Sequence, residues 1–161
     1  MPPVDNFDAV DPVSATLDGM TFEDLPDDWP QRPVTDPALF DDIVDLVVAE
    51  RDRDRGALYV LLCDEGGRLL QPCAVTDLGP GCEPDPRLIE PFAKGLAGQC
   101  PGGGLVLVVA RRGVPAPRES DVRWARAAEA VCDGRDARLL AAAVATPAGV
   151  LRLSVLDRPP G

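Results

Sequence analysis

The chain has 161 residues, 45% of them hydrophobic, which suits one domain with a substantial core and leaves too little for two. It contains no histidine, and 16 Lys plus Arg stand against 27 Asp plus Glu. The first fact excludes Ser-His-Asp and Cys-His nucleophile systems, HExxH zinc proteases and any imidazole proton shuttle; the second, a net charge of −11, opposes binding to nucleic acid or an anionic membrane surface.

The charge is uneven. Residues 1–40 carry nine acids and one base, Arg32, a net −8, whereas residues 41–161 carry 18 acids and 15 bases, a net −3. Prolines at 2, 3, 12, 26, 30 and 33 and the lack of periodicity mark residues 1–36 as an acidic, Pro-rich, partly disordered tail. Within it Met20, Phe22, Leu25 and Trp29 interleave with Glu23, Asp24, Asp27 and Asp28. That mixture suits a docking segment anchored by Phe22, Leu25 and Trp29; the alternative is that Leu25 and Trp29 pack back onto the domain.

From residue 37 to 157 the pattern is that of one domain. Asp36-Pro37 opens a helix whose apolar residues, Leu39, Phe40, Ile43, Val44, Val47 and Val48, recur at helical spacing up to the run Glu50 to Arg55. The alternating signs of that run, ERDRDRG, predict a solvated helix end rather than a nucleic-acid patch. Ala57 to Cys63, a glycine turn over 64–68, and Leu69 to Thr76 read as a hairpin, with Pro72 making the return strand an edge strand or a bulged one. Asp85-Pro86 opens a short helix through Leu88, Ile89, Phe92, Leu96 and Ala97. Leu105 to Ala110 suits a strand buried on both faces, and Glu119, Ser120 and Asp121 start a further helix that Gly134 stops. Strands over Arg138 to Ala145 and Val150 to Leu156 complete the order. The expected fold is α/β: a single three-layer-like domain with a mixed sheet and about three helices.

Motifs with chemistry are few. Gly102-Gly103-Gly104 precedes a strand instead of following one and lacks GK[ST], so it is a turn and not a phosphate cradle. Cys63, Cys73, Cys82, Cys100 and Cys132 show no paired spacing, which argues against a disulfide framework or structural zinc; Cys82 and Cys100, in loops, have no neighbouring base to activate a thiolate. No cofactor is implied, and the thiols and the absence of a leader or long apolar run point to the cytoplasm. One constellation stands out: Arg111, Arg112 and Arg118 flank the loop from a buried strand's carboxyl end to a helix start at Asp121, where open α/β sheets place anionic ligands. The alternative is a solvated loop whose arginines pair with nearby acids.

Around that loop the chain resembles a known family. Tyr59-Val60-Leu61-Leu62-Cys63-Asp64 with Gly67-Arg68-Leu69-Leu70, then Asp85-Pro86-Arg87-Leu88-Ile89, then Leu105-Val106-Leu107-Val108-Val109 and Pro115-Ala116-Pro117-Arg118-Glu119-Ser120-Asp121 are similar, in order, to the RadC branch of the JAMM/MPN metallopeptidase-like domains of cytidine-deaminase-like fold. The likeness covers about residues 38–155. The family's helix opens with His-Pro-Arg where this chain has Asp85, and its HxHPxG segment is replaced by Ala110-Arg111-Arg112-Gly113. Only Asp121 matches a metal-ligand position, and one carboxylate cannot hold a catalytic zinc.

The resemblance thus implies the fold and argues against the activity. The expected function is a non-catalytic protein-interaction or scaffold domain, with a protein partner or self-association and neither nucleic acid nor membrane. Two alternatives are a small anion-binding module built on Arg111, Arg112 and Arg118, and a metal-dependent hydrolase of unrecognised type.

Overall fold

In the computed structural model of the chain, residues 28–78, 83–133 and 135–153 are described. They form a mixed five-stranded sheet with four α-helices in one α/β domain. The strands are β1 (Ala57–Cys63), β2 (Leu69–Thr76), β3 (Gly104–Ala110), β4 (Arg138–Thr146) and β5 (Gly149–Leu153), in the spatial order β2-β1-β3-β4-β5. Only β3 and β4 run parallel, and α4 (Glu119–Cys132) makes the crossover between them. The other helices are α1 (Phe40–Val47), α2 (Glu50–Arg55) and α3 (Glu90–Gln99).

Side-chain alternation divides the central strands between two cores, which gives three layers. Tyr59, Leu61, Val106, Val108, Ala141 and Ala143 face α1 and its neighbours. Leu58, Val60, Leu105, Leu107, Ala142 and Val144 face α3 and α4. Strands buried on both sides read as continuous apolar runs, which is why β1 and β3 are legible as Ala57 to Cys63 and Leu105 to Ala110. Each fully buried Leu or Val here stabilises the fold by roughly 1.5–3 kcal/mol. As Pro72 allows, β2 lies at the sheet edge. Its turn is tied by Asp64, whose Oδ1 accepts from the backbone N–H of Gly66 and of Arg68, both at 2.9 Å, with Gly67 at φ 84°.

Three expectations are corrected. First, the packed unit begins before residue 37: Trp29, in a short 3-10 turn, and Val34 are buried in the α1-side core, and the Val34 N–H donates to the Gly67 carbonyl at 2.9 Å. Second, the helix opened by Asp36 does not run on into the charged segment. The backbone turns extended at Val48 and Ala49, and α2 is a separate element.

Third, α2 is not a solvated end, because Asp52 and Arg53 are buried. Arg53 donates to the carbonyls of Thr146 (3.2 Å), Asp45 (3.1 Å) and Val48 (3.0 Å), so it satisfies the acceptors that the break after α1 exposes. Asp52 accepts from the Tyr59 hydroxyl, and burial together with that bond pushes Tyr59 up to about 12. Replacing Arg53 with Met keeps the apolar stem and removes the donors. The expected loss is about 3 kcal/mol in urea denaturation, from carbonyls left buried and unpaired. The ion pair to Asp45, itself 65% exposed, adds little.

Elsewhere the expectations stand close to the observed bounds. Asp85 caps the 3-10 turn Pro86–Leu88, its side chain accepting from the Arg87 N–H, and Pro91 falls in the first turn of α3, where no N–H is needed. Of the three expected turn glycines, Gly102 lies in the turn, Gly103 follows it and Gly104 already opens β3; a Cβ would meet the Cys63 carbonyl at 2.6 Å at Gly103 and Leu140 at 2.5 Å at Gly104. Arg152 lies 4.7 Å over the Phe40 ring and donates to the Thr35 carbonyl, joining α1 to β5. Gly134 and residues 154–156 of the expected last strand lie outside the described residues. No helix among the described residues is long and apolar enough to cross a membrane.

Candidate functional site

The carboxyl end of β3, the start of β1 and the first turns of α4 enclose a cleft of about 740 Å³, with Leu58, Val109 and Trp124 among its apolar lining and Arg55, Arg111 and Arg118 among its charged lining. A crevice beyond a strand's carboxyl end, next to a helix N-terminus, is the place that α/β sheets offer to ligands. The three arginines singled out from the sequence meet here, each in a different condition.

Arg111 is spent internally. Its Nε and Nη2 lie 2.9 and 2.7 Å from the two carboxylate oxygens of Asp121, a fork-to-fork pair. The side chains are 12% and 1% exposed, so the pair is largely withdrawn from water. The rest of the guanidinium holds the loop to α4: Nη1 donates to the carbonyls of Arg112 (2.9 Å) and Val114 (3.3 Å), and Nη2 to that of Ala116 (2.8 Å). Asp121 in turn accepts from the Arg118 backbone N–H at 2.9 Å and so caps α4 from its third residue.

Arg112 is exposed and pairs with Asp54 at 2.7 Å; the guanidinium bonded to Asp54 holds that carboxyl below the usual carboxylate range. Arg118 is exposed, and among the described residues its guanidinium makes no hydrogen bond or ion pair. It lies against Gly113, where φ is +104° and a Cβ would stand 2.2 Å from Arg118 Nη2 and 3.2 Å from Arg111 Nη1. The alternative in which the arginines pair with nearby acids holds for two of the three: Arg111 is taken by Asp121 and Arg112 by Asp54, and only Arg118 has no such partner among the described residues.

The docking segment is redistributed as well. Trp29 is 6% exposed and belongs to the core, so it follows the alternative reading and packs on the domain. Phe22 and Leu25 lie outside the described residues.

Three of the described thiols are held in the protonated form. Burial pushes Cys63 up to about 12 and Cys73 and Cys132 to about 11. Alkylation at neutral pH should therefore leave Cys63 and Cys132 unmodified in the folded chain and label them after urea unfolding; rapid labelling of either in the native state would contradict their burial. Among the described residues no group of three or more Cys, Asp or Glu side chains is placed to hold a metal.

The sequence carried no signal for the buried Asp52–Tyr59 and Arg53 bonds, whereas the pairing of Arg111 with Asp121 is one of the alternatives it offered. An alternating charge run carries no signal of which member turns inward. The Arg111–Asp121 pair did have one, since an Asp three residues after the cap of a predicted helix faces back toward the incoming loop.

Comparison of the chain with protein-family models, with curated proteins and with solved structures finds no match.

Proposed function

We propose that the chain is a non-catalytic protein-interaction or scaffold domain, a metal-less member in fold of the RadC-like JAMM/MPN domains. The observation that carries this reading is the state of Asp121. It stands at the one position similar to a metal ligand of that family, and both its oxygens are engaged, by the Arg111 fork and the Arg118 N–H. A cation at this carboxylate would have to displace a guanidinium that also holds three loop carbonyls.

A domain of this kind works by association. Full-length chain, tagged and recovered from its native cells under reducing conditions, should retain a stoichiometric protein partner, or should self-associate in sedimentation velocity at micromolar concentration. A strictly monomeric chain with no stoichiometric partner would count against the reading. The anion-binding alternative now draws on Arg118. Thermal stabilisation by millimolar phosphate or sulfate that disappears in Arg118→Ala would favour it.

A further inference from the structure

Building on the interaction reading above, we infer that the loop between β3 and α4, residues 112–118, is the docking element, and that its partner is a protein surface with an apolar pocket rimmed by carboxylates. The loop is Arg112-Gly113-Val114-Pro115-Ala116-Pro117-Arg118. Loop tips usually carry polar side chains, yet between its two arginines this one has no side chain able to hydrogen-bond. Val114 is 62% exposed and is one of two exposed large hydrophobics among the described residues, the other being Leu70 at 55%. Ala116 and Pro117 are exposed beside it.

Part of the loop's backbone is bonded from within. Arg111 takes the carbonyls of Arg112, Val114 and Ala116. The Ala116 N–H donates to the Val114 carbonyl at 2.8 Å, and Pro115 and Pro117 have no N–H to satisfy. Covering these groups costs little desolvation. The same bonds, with two proline rings and the Asp121 anchor, hold the loop in one conformation, so little chain entropy remains to be lost on binding.

Charge complementarity selects the partner. The guanidinium of Arg118 lies beside Gly113 with no ion pair of its own among the described residues, and Arg112 is neutralised only by an exposed acid. An apolar pocket that receives Val114 therefore needs carboxylates at its rim to meet Arg118. A second copy of the chain, at −11, would bring repulsion as well as acids. A seven-residue loop covers far less than the ~1,600 Å² of a standard interface, so it supplies the anchor of the contact and not the whole of it.

The test places a photoreactive benzophenone residue at position 114 in the full chain, in its native cells, with the same residue at position 70 as the comparison. The expected result is a discrete adduct from position 114 that is lost when Arg118→Glu is added. Its cross-linked partner peptide should map to an apolar pocket with Asp or Glu at the rim. With that partner purified, Val114→Asp and Arg118→Glu should each weaken Kd by about tenfold or more, while Leu70→Asp leaves it within about twofold. An adduct to a second copy, or to a surface without carboxylates, overturns the proposed partner. Adducts from position 70 and none from 114 overturn the loop while leaving the interaction reading in place, and none from either position removes both. Unchanged thermal melting of the exposed-site variants shows that lost binding is not lost folding.

Discussion

Replacing Asp121 with Ala should lower the unfolding free energy by about 3–5 kcal/mol, the usual result of removing one member of a buried, hydrogen-bonded ion pair. The carboxylate is 1% exposed, so water does not stand in for it. Its loss leaves the Arg111 guanidinium without its counter-charge and the Arg118 N–H, at the start of α4, without an acceptor. Because Arg111 retains 12% exposure, the lower half of that range is the better figure. The double variant Asp121→Ala with Arg111→Met should recover part of the loss, since no charge is then stranded, but the loop carbonyls that Arg111 held will be released. Urea denaturation of the single and double variants measures both effects. A loss below about 1 kcal/mol for Asp121→Ala would mean that the pair is as weak as an exposed one.

Trp29→Ala carries the second large effect, about 3–5 kcal/mol, because truncation of a buried Trp removes its contacts and leaves a cavity. The indole shares its core with Val34, Leu39, Phe40 and Leu61. The variant also separates the two meanings that the sequence left open for this residue. A core Trp predicts a lower urea midpoint with association retained under native conditions. An external anchor predicts an unchanged midpoint and lost association, and that outcome would move Trp29 back to a docking segment with Phe22 and Leu25.

What could be read from the chain, and what could not, follows from the range of the interactions involved. β1 and β2 were expected over Ala57 to Cys63 and Leu69 to Thr76, and those are their observed bounds. Their signals are local: β-branched and apolar runs, a glycine turn, and a proline compatible with an edge or a bulge. The crossover helix was likewise announced by its acidic first turn. Asp52 and Arg53 were misread because their burial depends on an interruption after α1 and on the Thr146 carbonyl, 93 residues further along the chain. Nothing in the alternating run encodes that distant acceptor. The boundary at residue 37 failed for a similar reason: the proline-rich stretch around Trp29 and Val34 has no period of its own and is ordered by the core it enters. At the cleft the residue types were legible, and so was pairing of the arginines with nearby acids as one alternative. Which arginine takes which acid is decided by the geometry of a seven-residue loop.

The chemistry excluded by composition shapes the rest. The chain has no histidine, Cys63 and Cys132 are buried and raised, and Asp121 is held by Arg111. The association proposed above draws on the loop that this ion pair ties to the helix.

The most direct test of this account is the metal content per chain of full-length protein purified under reducing conditions without chelator, measured by elemental analysis. The account predicts no stoichiometric zinc or other transition metal, and none retained after incubation with one and removal of the excess. About one equivalent of tightly held zinc would contradict it, because that ion would require a Cys/Asp ligand set that the described residues do not form, and hydrolysis would again be open.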